Sequence, residues 1–251
     1  MHDDSGRVLD AICRLMDSLG IPWAPVFGNH DNECWRGVAW QCERIAASRF
    51  SLFRRGTVTG SGTYTVGVAC GDELVRVLYM TCSNGGGNER DPEVVGQPGI
   101  YPDQARRIRD SAARIEAAQG RPVPAFMAFH IPVREFVTAA EAAGYRTKER
   151  PLFRIGVDVP AREGDFGAWD EDVGYVLDTE FDFPALLRAC RIDGVFAGHY
   201  HKITASILWE GVRWTFGLKT GTCDYHPTHT GGTLITVRDG AFTVLHVPSL
   251  L

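Results

Sequence analysis

Hydrophobic and polar positions change period several times along this chain, and the changes mark its elements. From Ser5 to Leu19, apolar residues recur three and four apart at Val8, Leu9, Ile12, Leu15, Met16 and Leu19. That spacing predicts an amphipathic helix, stopped by Gly20. The run Trp23–Phe27 predicts a short buried strand, and residues 35–48 predict a second helix. Gly62–Ala69 and Leu74–Met80 flank Cys70-Gly71-Asp72-Glu73 and predict a hairpin. Asp103–Gln119 predicts a helix with Pro102 at its start and Arg106, Arg107, Arg109 and Arg114 on a solvated face. Val123–Phe129 predicts a strand, followed by a helix over Val133–Ala143.

Residues 144–179 are rich in Asp, Glu, Gly and Pro and carry no clear period. A stretch that long without regular structure points to a functional or mobile segment. Phe183–Cys190 predicts a short helix leading into the strand Gly194–Ala197. The pattern then turns to a β meander: Ile203–Trp209, Val212–Gly217, Thr233–Val237 and Ala241–Val247, with tight turns at Glu210-Gly211 and Asp239-Gly240. Alternating strands and helices without repeats or linkers predict one α/β domain spanning residues 1–251.

Charge and cysteine usage narrow the setting. The formal net charge of −5 argues against non-specific nucleic-acid binding, which needs basic surface. No apolar run reaches the roughly 18–20 residues of a membrane helix, and Met1-His2-Asp3-Asp4-Ser5 lacks the pattern of a signal peptide. The seven cysteines are scattered, with no C-x-x-C. Reduced thiols and a cytoplasmic location are the expectation.

Candidate chemistry sits just after three apolar runs. Gly28-Asn29-His30-Asp31 follows Trp23–Phe27, His130 closes Ala125–Phe129, and Gly198-His199-Tyr200-His201 follows Gly194–Ala197. Loops at strand ends are where a rigid scaffold presents reactive groups. Each piece alone has a plainer reading: a turn at Gly28–Asp31, a satisfied polar residue at His130, two exposed loop histidines at His199 and His201. Together, an amide oxygen and several imidazoles compose a metal-ligand set.

In this order the motifs resemble the calcineurin-like metallophosphoesterase superfamily, and more closely its purple-acid-phosphatase-like branch. Ile21–Asp31, Ala128–Phe136 and Phe196–His199 carry the likeness. The resemblance implies a layered α/β sandwich of two mixed sheets flanked by helices. It implies a metal-dependent phosphoesterase that hydrolyses a phosphate ester through hydroxide held between two metals, Fe, Mn or Zn. Asn29, His130 and His199 would bind one metal and His201 the other. His30 would act on the leaving group, oriented by Asp31.

The chain departs from that family in one respect. The early Asp-x-His and Gly-Asp motifs are not found ahead of Gly28, so the first sheet is expected to be incomplete and activity impaired. Asp224-Tyr225-His226 and Gly164-Asp165 match these patterns literally. The first reads as a substrate-side loop, with His226, and with His229 near it, as phosphate ligands. The second lacks a preceding strand. Asn84, ahead of Gly85-Gly86-Gly87, is a further substrate-binding candidate. A non-catalytic descendant that binds phosphate or metal is the alternative, and a mononuclear zinc hydrolase on His130, His199 and His201 is a third reading.

Overall fold

The structure, a computed structural model, describes residues 6–33, 36–82, 99–174, 176–221 and 230–249. In chain order the elements are α1 (Arg7–Leu19), a 3-10 turn (Asn29–Glu33), α2 (Gly37–Ala46), β1 (Tyr64–Cys70), β2 (Glu73–Met80), β3 (Gly99–Ile100) and α3 (Pro102–Gln119). Then come β4 (Ala125–Ala128), α4 (Glu135–Ala142), β5 (Phe153–Arg154), β6 (Ala168–Trp169), β7 (Asp178–Thr179), α5 (Phe183–Ala189) and β8 (Ile192–Ala197). The chain finishes with β9 (Ser206–Trp209), β10 (Val212–Phe216), β11 (Gly231–Arg238) and β12 (Ala241–Pro248).

A six-stranded mixed sheet in the order β1-β2-β4-β8-β10-β9 forms the centre. Its inner pairings are parallel, and β1–β2 and β10–β9 close its edges as antiparallel pairs. Alternation along the strands splits the core. Val77, Tyr79, Met127 and Val195 face one way, into a cluster with Ile108 of α3, Phe136 of α4 and Leu186 of α5. Met80 faces the other way, against Val38 and Ile45 of α2. The hairpin β11–β12 also packs on this second face, where Phe242 meets Phe126 edge-on at 4.8 Å. The molecule is therefore a layered α/β sandwich: helices, a mixed sheet, and a thinner layer of hairpin and α2. Among the described residues, the second sheet is this two-stranded hairpin rather than a larger mixed sheet.

A buried arginine joins two layers. Arg76 of β2 is wholly enclosed and pairs with Asp193 at 2.5 Å. It also donates to the Gly240 carbonyl in the β11–β12 turn at 3.0 Å. Its guanidinium lies over the rings of Phe126 (4.1 Å) and Phe242 (5.0 Å), a cation–π arrangement in a desolvated place.

Two sequence expectations need correction. Trp23–Phe27 is not a strand; only Trp23 pairs, with Ser51. Pro22 and Pro25 remove two of the backbone donors that a ladder requires. The stretch is tied down instead by the Tyr64 hydroxyl donating to the Pro25 carbonyl at 2.7 Å. Residues 144–179 are not a structureless segment. Tyr145, Phe153, Ile155, Val159 and Trp169 belong to the main core, and buried Asp165 accepts from Arg213 (2.9 Å), Tyr145 (2.9 Å) and the Leu208 N–H (2.8 Å). Gly164-Asp165 is thus a structural anchor. Helix α1 forms where expected, yet four of the six residues of its apolar stripe, Val8 (59%), Ile12 (44%), Leu15 (56%) and Leu19 (54%), are exposed, while Cys13 is buried. No helix among the described residues is long and apolar enough to cross a membrane.

Candidate metal centre

Strand order explains why the candidate side chains meet. β4 and β8 are parallel neighbours, with Ala128 opposite Phe196. Their C-terminal ends therefore release His130 and His199 side by side, and the Gly198 N–H donates to the His130 carbonyl at 2.8 Å. The Asn29 loop arrives at the same end, held by the Cys82 thiol against the Phe27 carbonyl. Crevices beyond the carboxyl ends of parallel strands are the usual ligand sites of α/β sheets.

The Asn29 amide oxygen lies 3.0 Å from Nε2 of His130 and 3.2 Å from Nδ1 of His199. The two imidazole rings meet edge to face at 5.3 Å. Metal–nitrogen bonds are about 2.0–2.1 Å long, so adjacent ligand atoms of one ion sit roughly 3.0–3.4 Å apart. The donor spacing matches that edge length. As the protein stands, both rings aim N–H groups at Asn29; a shift of tautomer turns the same nitrogens into lone-pair donors.

Burial keeps both rings neutral. His130 is pushed down to about 4, first by burial and then by the proximity of His199, His201 and His30. His199 is lowered by burial, then by His201 and His30. Neutral imidazole is the form that ligates metal. Glycine makes room for the cluster: a Cβ on Gly28 would stand 2.9 Å from Nε2 of His130.

His199 pays a backbone cost to be there. It has φ 70°, and the Tyr200 N–H closes onto the Gly198 carbonyl at 2.8 Å. This is a three-residue γ-turn of the rare positive-φ kind, a strained conformation for a residue with a side chain. Tyr200 packs edge-on against His199 at 4.9 Å and against Phe216 at 6.3 Å.

A cleft of about 520 Å³ opens over the cluster. Asn29, His30, Asp31, His130, His199 and His201 line it, joined by Glu171 and Lys202. The structure thus brings together all the predicted metal and catalytic residues. Their roles differ in one respect from the expectation. Asp31 does not orient His30: its carboxylate accepts from the Gly28 N–H at 2.6 Å, and burial raises its pKa against that bond and His30. His30 is held by Glu33 instead, at 2.8 Å, and is 73% exposed. Asn84, Cys223, Asp224, His226 and His229 lie outside the described residues.

Sequence reading did not single out Glu171 or Lys202. Lys202 could have been found as the cation directly after His-x-His, and Glu171 as the centre of Asp170-Glu171-Asp172. Among the described residues, no three His, Cys, Asp or Glu side chains converge closely enough to hold an ion by themselves; the amide of Asn29 completes the set that does converge. Comparison with known proteins returned no matching family model, no similar curated protein and no similar solved structure.

Proposed function

We propose that this protein is a cation-dependent phosphoesterase of low turnover, resembling the calcineurin-like metallophosphoesterases, with Asn29, His130 and His199 holding the cation. The observation that carries this reading is the convergence of one amide oxygen and two imidazole nitrogens at 3.0 and 3.2 Å. The donors suit Mn, Fe or Zn. A bound divalent ion supplies positive charge to a phosphoryl oxygen and makes hydroxide available near neutral pH.

The chain's own residues divide the remaining work. Among the described residues that line the cleft, Lys202 contributes the only ammonium or guanidinium, and it attracts an anionic ester in a molecule that is acidic overall. Glu33 fixes the His30 ring through Nδ1. That leaves Nε2 to pass a proton to a departing alkoxide. Half-buried Asp31 holds the loop through the Gly28 N–H and so sets where Asn29 points.

The assay is hydrolysis of 4-nitrophenyl phosphate with Mn²⁺ or Zn²⁺. Slow turnover that saturates with cation, and falls about 100-fold in Asn29→Ala and His130→Ala, is expected. Turnover no faster than the cation alone, with no cation bound, overturns the reading. A second reading, a non-catalytic binder, is favoured by the small number of charged donors that converge here. Cation binding without turnover would select it.

A further inference from the structure

Glu171 comes from the segment 144–179, which the sequence leaves without a pattern, yet its place is set by strand register. Phe166 bridges Ser206 and Trp169 bridges Ile203, both antiparallel. The Thr204 N–H donates to the Ala168 carbonyl at 2.8 Å, and the Asp170 N–H to the Lys202 carbonyl at 3.2 Å. Each step forward on one side is matched by a step back on the other. Past the Trp169–Ile203 bridge the pairing ends, and Glu171 stands in a bend beside Lys202. The carboxylate accepts the Lys202 N–H at 2.7 Å through one oxygen, and Glu171 lines the same cleft as Asn29, His130, His199 and His201.

The chemistry of the cleft leaves a position for such a group. Asn29 and the three histidines are neutral donors, and a divalent ion held by neutral donors alone keeps its full charge. Among the described residues, two carboxylates line the cleft. Asp31 is committed to the Gly28 N–H. Glu171 has one oxygen on a backbone N–H and the other remaining as an acceptor. We propose that Glu171 is the anionic group of this cleft that offsets the charge of its cation from across the cleft, with Asn29, His130 and His199 as the direct ligands. The inference rests on the proposed function, and it assigns the residue that offsets the ion's charge.

Glu171→Gln tests it, because the amide oxygen still accepts the Lys202 N–H while the charge is gone. Mn²⁺ binding is measured by calorimetry and by loss of the free-ion electron spin resonance signal, with thermal melting alongside. Glu171→Gln should bind Mn²⁺ at least tenfold more weakly than wild type, with the metal-free melting temperature unchanged. Glu171→Asp should recover part of the affinity. Unchanged affinity in Glu171→Gln, together with a lower melting temperature in Glu171→Ala, overturns the inference and leaves Glu171 as a backbone anchor only; the proposed function would stand. Wild-type protein that binds no Mn²⁺ overturns both.

Discussion

His199 shows how this site uses strain. Its φ of 70° costs a side-chain-bearing residue roughly 1–2 kcal/mol, a cost glycine avoids. His199→Gly should therefore be more stable than His199→Ala by about 1 kcal/mol or more, the reverse of their usual order in regular structure. Urea unfolding of the two variants checks this, and equal stabilities would mean that the turn is relaxed. Neither variant should retain the cation affinity of wild type. His130 adds a pH signature. An unfolded imidazole titrates near 6.5, whereas the folded one is pushed down to about 4. The unfolded chain thus takes up a proton that the folded protein resists. The stability contributed by neutral His130 is complete above about pH 6.5 and is lost as pH falls towards 4. In chelator, unfolding free energy should drop by roughly 1–3 kcal/mol across that window, and less steeply in His130→Gln. Parallel slopes for the two proteins would contradict this.

Between elements, burial inverts what hydropathy suggests. Arg76 ties β2 to β8 and to the β11–β12 turn, whereas Leu15 of α1 is 56% exposed. Arg76→Ala should cost about 3 kcal/mol by opening a cavity between two phenylalanines and removing the bonds to Asp193 and the Gly240 carbonyl. Leu15→Gln should stay within about 0.5 kcal/mol. Thermal denaturation decides between this order and the reverse. Much of the framework was legible because β4, β8 and the last two hairpins are written as apolar runs with local turns. His130 and His199 were legible for the same reason, since they end such runs. Trp23–Phe27 looked like a strand because apolar character outweighed two prolines in the reading. Arg76 was not legible: its partners Asp193 and Gly240 are more than a hundred residues away. The order of residues 144–179 was hidden likewise, because Asp165 is held by Arg213 and Leu208. Glu171 reaches the cleft through a register set thirty residues later.

At the scale of the molecule, the sandwich delivers three distant loops to one end of a parallel core. Helices α3, α4 and α5 cover one face of the sheet, and the hairpin, α1 and α2 cover the other. The C-terminal ends of β4 and β8 remain open to a cleft of about 520 Å³. An acidic protein with net charge −5 can attract an anionic ester there only if the local sign is reversed, by Lys202 and by a bound ion. The account therefore stands on that ion. Its most direct test is an anomalous-difference map from a crystal soaked in Mn²⁺. The account predicts one peak within about 2.0–2.4 Å of the Asn29 amide oxygen, His130 Nε2 and His199 Nδ1, absent in Asn29→Ala. A well-ordered cleft with no peak among these three atoms, or an equal peak in Asn29→Ala, would contradict it.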